Sequence, residues 1–229
     1  MLSRIGVAES ELACPIAWPA DPGAHAQAIR HGRRRRVFME CSGKHAAMLA
    51  TCVVNGWDTA TYLDPEHPLQ VAIAETFADL TGEKIAVVAV DGCGAPLLST
   101  SLGGLARAFR TVALATSGPE KRVADAIRTH PEFTSGSRRD EATLLRAIPG
   151  AIGKAGAESC YAVGLADGRA VALKTDDGAP RVRPVLMAAA LERLGVTRDP
   201  DVDVEAVRRT GVLELFGGGR PVGEIRATF

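Results

Sequence analysis

Four chemically reactive side chains fall within five residues of this sequence: Cys41, Ser42, Lys44 and His45. They offer a thiol, a hydroxyl, an amine and an imidazole. Ser42 suits the start of a helix and residues 46–54 favour a helical run, so the stretch is predicted to lie at a helix N-terminus. Because positions three and four apart share one helix face, Cys41 should lie on the same side as Lys44 and His45.

A second polar cluster, Asp91 and Cys93, follows about fifty residues later in an Asp-Gly-Cys-Gly turn. It comes directly after the β-type run 85–90, and its glycines allow close backbone approach to a ligand. Cys41 and Cys93 can offer soft thiolates to zinc, and a third ligand near Cys41 would complete an open tetrahedral site. By spacing alone His45 is the more ordinary third ligand, because lysine is usually protonated.

The elements that must position these residues are helices interspersed with strands. Apolar periodicity and stop signals predict helices over 69–80, 118–130, 140–148 and 181–194. The strongest hairpin signal joins the β-type runs 159–165 and 169–174, and 222–226 is predicted to be a last strand. This pattern favours the α+β class, an antiparallel sheet covered by helices, in one domain over 1–229.

Composition excludes several classes of protein. The chain has 229 residues with 46% hydrophobic content, enough to fill a core, and 27 basic residues balance 27 acidic ones. The run from Arg33 to Arg36 is better explained by a solvated loop than by a nucleic-acid patch. No apolar run approaches the ~20 residues of a membrane span, and the N-terminus has no signal-peptide h-region. Five irregularly spaced cysteines do not indicate a disulfide framework. We therefore expect a cytoplasmic protein with no nucleic-acid or membrane partner.

Two motifs in this order resemble the asparaginase II family: Cys-Ser-Gly-Lys-His at 41–45 and Asp-Gly-Cys-Gly at 91–94. Supporting motifs are Tyr-Leu-Asp-Pro-Glu-His-Pro at 62–68, Lys-Ala-Gly-Ala-Glu at 154–158, Val-Ala-Leu-Lys-Thr-Asp-Asp-Gly at 171–178 and Val-Gly-Glu-Ile at 222–225. The resemblance covers nearly the whole chain. It implies a serine β-lactamase-like fold, a homodimer, and hydrolysis of L-asparagine to L-aspartate and ammonia.

The resemblance also implies a zinc site formed by Cys41, Lys44 and Cys93. Lys44 would bind as a neutral amine, its pKa lowered by the metal. The third ligand therefore stays open between Lys44 and His45. Since the family's nucleophile is a serine, the metal is expected to hold and orient a wall of the active site. Lys174 is expected to line that site as a catalytic group, although an edge-strand lysine facing water is the plainer interpretation of the pattern.

Three further residues are assigned to substrate binding. Asp91 could orient a water or bind the α-amine of the substrate, or it could simply form the turn. Arg138 lies in the small polar segment 134–139, which is either a surface loop or a substrate-facing loop whose donors suit a carboxylate. His45 completes this set when Lys44 is the metal ligand. Ser42 is not favoured as a nucleophile, because it lies two residues from Lys44 rather than three.

Family members carry a Ser-x-x-Lys segment that supplies the nucleophile, followed by Ser-His-Ser-Gly-Glu, upstream of the first motif. Nothing before Cys41 matches either stretch, and 12–19 looks like a segment normally found inside the domain. We therefore expect an N-terminally incomplete domain whose asparaginase activity by itself is in doubt. The alternative is a non-catalytic zinc-binding remnant of the same fold.

Overall fold

The computed structural model describes every residue from Met1 to Phe229, and these residues group into two compact units. Unit 1 comprises Met1–Asp79 and Glu83–Thr100, and unit 2 comprises Leu80–Gly82 and Ser101–Phe229. Helices accompanied by short antiparallel strand pairs confirm the predicted α+β class. The single domain over 1–229 and the relation to serine β-lactamases remain predictions. None of the helices is both long and apolar enough to cross a membrane.

The first two strands and three helices begin in unit 1. They are α1 (Pro22–Arg30), α2 (Ser42–Asn55), α3 (Pro68–Thr81), β1 (Val88–Val90) and β2 (Pro96–Leu98). The predicted helix after Cys41 is α2, and it ends because Gly56 adopts the left-handed conformation at φ 69°. The strand predicted over 85–90 is shorter, since only Val88–Val90 pairs, and it pairs with β2, which the sequence analysis did not predict.

The core of unit 1 forms around α2. Leu49 and Cys52 of this helix are fully buried beside Leu12, Cys14 and Tyr62. The apolar stripe of α2 therefore faces inward, as a half-buried helix requires. Burying this stripe fixes the rotation of α2, and with it the direction in which the residues at its N-terminus point.

Unit 2 is a sheet covered by helices. Its helices are α4 (Leu102–Leu114), α5 (Gly118–Thr129), α6 (Glu132–Ser135), α7 (Asp140–Ala147), α8 (Arg183–Arg193) and α9 (Val204–Thr210). Its strands are β3 (Ile152–Ala155), β4 (Cys160–Gly164), β5 (Ala170–Lys174), β6 (Leu213–Gly217) and β7 (Arg220–Ile225). The antiparallel sheet has the order β3-β4-β5, and β6 and β7 form a separate antiparallel pair.

The two faces of the β3-β4-β5 sheet pack against different helices. Tyr161 and Val163 of β4 belong to a buried cluster with side chains of α7, α8 and α9. On the opposite face Gly164 meets α4, where a Cβ would lie 2.5 Å from the carbonyl oxygen of Phe109. Only glycine permits this approach of helix to strand. The result is a three-layer arrangement that leaves Lys174 at the end of β5.

Candidate metal centre

Three potential ligand atoms converge in unit 1. The thiols of Cys41 and Cys93 and a carboxylate oxygen of Asp91 all lie within 4.8 Å of one another. Cys41 is the N-cap residue of α2, and the other two residues lie in the turn between β1 and β2. That turn is closed by the Asp91 amide, which donates to the Ala95 carbonyl at 2.8 Å. The two motifs separated by about fifty residues therefore meet in space.

Lys44 completes this group. Its Nζ donates to Asp91 Oδ2 at 2.8 Å, and Cys93 Sγ donates to the same oxygen at 3.1 Å. Burial by itself lowers the pKa of Lys44, but the hydrogen bonds to Asp91 and Cys93 raise it overall. Burial by itself raises the pKa of Asp91, but the Lys44 ammonium outweighs it and the pKa is lowered. Lys44 and Asp91 therefore form a hydrogen-bonded ion pair within reach of both thiols.

The donor set fits zinc. Two thiols with an amine and a carboxylate are ligands that zinc accepts in tetrahedral sites. Burial raises the pKa of the Cys41 thiol to about 11, which Lys44 only partly offsets, so a bound cation would be needed to hold this thiol as a thiolate. The structure adds Asp91 to the possible ligands, a role that the sequence analysis did not give it. The signal was present, because Asp91 lies two residues before Cys93 in one turn.

His45 points elsewhere. Its side chain is fully buried, and Nδ1 lies 2.5 Å from the hydroxyl of Tyr62, which also accepts a hydrogen bond from the Ala13 amide at 2.9 Å. Burial lowers the pKa of His45, favouring the neutral ring. Nε2 is also buried and has no hydrogen-bond partner. Adjacent helix positions point about 100° apart, so Lys44 and His45 cannot both face the turn. The structure groups Lys44 with the cysteines, while the roles assigned to both residues remain predictions.

Tyr62 was missed by the sequence analysis as a partner of His45, and its hydroxyl can be tested directly. Tyr62→Phe should destabilise the protein by about 1–3 kcal/mol, because it leaves the fully buried His45 ring and the Ala13 amide without their partner. Tyr161→Phe is the matched control, since this tyrosine is equally buried but its hydroxyl has no hydrogen-bond partner. Thermal unfolding followed by circular dichroism should show a clearly lower melting temperature for Tyr62→Phe and little change for Tyr161→Phe. Equal losses of stability in both variants would contradict a stabilising role for the hydrogen bonds of the Tyr62 hydroxyl.

Ser42, the other reactive group of the first motif, is engaged with the backbone. Its hydroxyl donates to the carbonyl of Val37 at 3.0 Å, at the start of α2. In this arrangement the hydroxyl is bound to a backbone acceptor rather than to the amine of Lys44. That Ser42 is not the nucleophile stays a prediction.

The remaining two predicted site residues belong to unit 2. Lys174 is the last residue of β5, is directly opposite Cys160 on β4, and donates from Nζ to the carbonyl of Thr175. Arg138 lies in the turn between α6 and α7. Part of the loop predicted over 134–139 is helical, because α6 extends to Ser135. The structure thus brings Cys41, Lys44, Asp91 and Cys93 together in unit 1. In unit 2 it places Lys174 at the end of a strand and Arg138 in a turn between two helices.

All of these residues fall within one family pattern. A family model described as L-asparaginase II matches residues 1–227 of the 229-residue chain. Comparison with curated proteins finds no match. The matched span includes all of unit 1, all but the last two residues of unit 2, and every predicted site residue. Because it covers nearly the whole sequence, the chain belongs to the L-asparaginase II family.

Proposed function

We propose that this protein is an amidohydrolase that acts on the side-chain amide of L-asparagine, converting L-asparagine and water to L-aspartate and ammonia. The observation that supports this most is the convergence of Cys41, Lys44, Asp91 and Cys93 in a chain of the L-asparaginase II family. The family name supports an asparaginase-like hydrolase. The substrate, the activity and the homodimer that the resemblance implies are parts of the proposal.

Zinc would be held by Cys41 and Cys93 together with Lys44, and Asp91 would lie beside it. The metal would supply a fixed positive charge that orders this wall of the site. Asp91 accepts hydrogen bonds from Lys44 and from the amide of Gly92, both at 2.8 Å, and neither of these donors requires Cys93 to be protonated. These contacts keep its carboxylate ionised and fixed in place, which suits binding of the α-ammonium group of an amino acid.

The reacting groups in this proposal are a serine and Lys174. Lys174 would polarise the amide or help to keep the serine deprotonated, and backbone amides would stabilise the oxyanion of the tetrahedral intermediate. Arg138 would bind the α-carboxylate of the substrate, since a guanidinium matches a carboxylate in geometry and charge. Hydrolysis of the acyl-enzyme would then release L-aspartate.

A second candidate function is a non-catalytic zinc-binding remnant of the same fold, the alternative for a protein in which no Ser-x-x-Lys segment precedes the cysteine-lysine site. Residues 1–40 contain no Ser-x-x-Lys segment, the stretch that supplies the nucleophile in the family pattern. Such a protein would keep the cysteine-lysine site and lack turnover.

Zinc content and ammonia release, measured on one preparation, separate these functions. Bound zinc together with ammonia release specific for L-asparagine supports the amidohydrolase. Bound zinc without ammonia release, also in a chain extended upstream to include a Ser-x-x-Lys segment, would support the remnant. Absence of zinc together with turnover would reject the metal assignment and leave the enzyme assignment intact.

A further inference from the structure

A buried ionic cluster joins the starts of two helices in unit 2. Arg183, the first residue of α8, donates from a single nitrogen, Nη2, to Asp140 Oδ1 at 3.1 Å and to Glu141 Oε1 at 3.0 Å. Asp140 and Glu141 are the first two residues of α7. The side chains of Arg183 and Glu141 are only 3% and 1% exposed. One guanidinium nitrogen therefore holds two consecutive carboxyl groups inside the unit.

The other oxygen of each carboxyl group has no assigned partner. Asp140 Oδ2 and Glu141 Oε2 are both buried, and neither has a hydrogen-bond donor. An ionised carboxylate only accepts hydrogen bonds, so two carboxylates side by side leave both oxygens unsatisfied. A protonated carboxyl group has a donor as well. One proton between Oδ2 and Oε2 would satisfy both atoms at once.

The charge balance points to the same arrangement. Arg183 is the buried cation of the cluster, and its Cζ also lies 5.6 Å from the centre of the Tyr161 ring. Arg139 contributes a weaker contact, because its Nε is 3.7 Å from Glu141 Oε2 and its side chain is half exposed. Two negative charges against one buried positive charge would leave an excess charge in a poorly hydrated site, where it is costly. A shared proton leaves one carboxylate to pair with Arg183.

We propose that Asp140 and Glu141 share one proton, and that this proton clamps the start of α7 to the start of α8. The segment immediately before α7 carries Arg138, and the segment between Lys174 and Arg183 leads into α8. Losing the proton sets two carboxylates against each other and loosens both segments. The clamp is thus a pH-sensitive device that acts on the chain around two candidate site residues.

The titration behaviour agrees with this geometry. Burial raises the pKa of Asp140 to about 6, hydrogen bonding to the Glu141 carboxyl group in the shared-proton arrangement adds to the rise, and Arg183 opposes it. Burial by itself raises the pKa of Glu141, but the hydrogen bond from Asp140 outweighs it and the pKa is lowered. The pKa of Tyr161 is raised well above 10, chiefly by burial, so this group stays neutral.

The direction in which pH changes the stability of the clamp follows from the pKa of Asp140. Its pKa in the folded protein lies above the ordinary value of 3.8, so the folded state binds the proton more tightly than the unfolded state. The stabilising contribution is fully present below the ordinary pKa, and it is lost as the pH rises through about 6. Unit 2 should therefore hold these segments most firmly under mildly acidic conditions.

Hydrogen exchange measured by mass spectrometry tests the clamp in the full chain. Asp140→Asn keeps an acceptor for Arg183 and an N–H donor for Glu141 at every pH. The exchange rates are first corrected for the intrinsic, pH-dependent exchange of unstructured amides. Peptides covering 134–142 and 175–184 should then be equally protected in the unmodified protein and in Asp140→Asn at about pH 5. At about pH 7.5 the unmodified protein should exchange roughly 10-fold faster than Asp140→Asn, because the stabilisation that a folded pKa of about 6 still provides at pH 5 is lost by then.

Asp125→Asn is the matched control, because Asp125 is half exposed and pairs with Lys121 on the surface of α5. It should change exchange in neither segment at either pH. Carboxyl ¹³C NMR of the unmodified protein gives a readout that does not depend on any variant folding, and it should show Asp140 titrating near pH 6. Equal exchange of the unmodified protein and Asp140→Asn at pH 7.5, or a fully ionised Asp140 at pH 5, would overturn the proposal. Neither result depends on asparaginase activity.

Discussion

Replacing Cys93 by serine is expected to lower the zinc affinity of the chain by at least about 100-fold. Cys93 is 1% exposed and lies in the turn that faces Cys41. A serine hydroxyl does not ionise at neutral pH and is a poor ligand for zinc, so the substitution removes one of two thiolates. Changes to groups that merely support metal ligands already cost 10- to 100-fold, and loss of a direct ligand should exceed the upper end of that range.

Cys52→Ser provides the control for this experiment. Cys52 is fully buried on α2 and belongs to the apolar core of unit 1, outside the group of converging ligand atoms. The substitution should cost some stability and leave zinc binding unchanged. The zinc affinity of both variants would be measured from the metal content after gel filtration and from competition with a chelator. Equal zinc content in Cys93→Ser and Cys52→Ser would reject the metal centre.

The same measurement distinguishes the two candidate third ligands. Lys44→Ala should reduce zinc affinity, because the structure places its amine with Asp91 and Cys93. His45→Ala should mainly reduce stability, because it removes a fully buried ring that contacts Tyr62. If His45→Ala lost more zinc than Lys44→Ala, His45 would be the third ligand, as its spacing from Cys41 alone suggests.

This choice shows where sequence reasoning ends. The helix start, the thiols and the spacing of Cys41, Lys44 and His45 could all be recognised from local pattern. Which of the two neighbouring residues faces Cys93 depends on how α2 is rotated against the core, and burial of Leu49 and Cys52 decides that rotation. Such packing involves residues far apart in sequence, which no local pattern contains.

The elements that were missed have a similar cause. The long periodic helices and the hairpin between β4 and β5 were predicted within a few residues of their bounds. Strands β2, β3 and β6 have only three to five residues and little alternation, so their pairing partners define them more than their own sequences do. The start of α7 was predicted at Asp140, but the burial of two carboxyl groups there depends on Arg183, 43 residues away from Asp140.

Activity should depend on a nucleophile that residues 1–40 do not contain. Asp91 and Lys174 would bind and polarise L-asparagine without cleaving it, whereas removing the nucleophile of a hydrolase lowers kcat by about 10⁶-fold. The 229-residue chain should therefore release ammonia slowly or undetectably. A chain extended upstream to include a Ser-x-x-Lys segment should release it readily, as a coupled ammonia assay would show.

Within the extended chain, Lys174→Ala should lower kcat while leaving zinc content unchanged, because the proposed role of Lys174 is at the reacting amide and not at the metal. Lys121→Ala is a suitable control, since this lysine forms a surface ion pair with Asp125 on α5 and has no place in the proposed chemistry. Its kcat and zinc content should match those of the unmodified protein. Rapid turnover by the 229-residue chain itself would show that the nucleophile lies within it. Ser42 would then be the first residue to replace, because its hydroxyl lies at the start of α2 next to the proposed ligand Cys41.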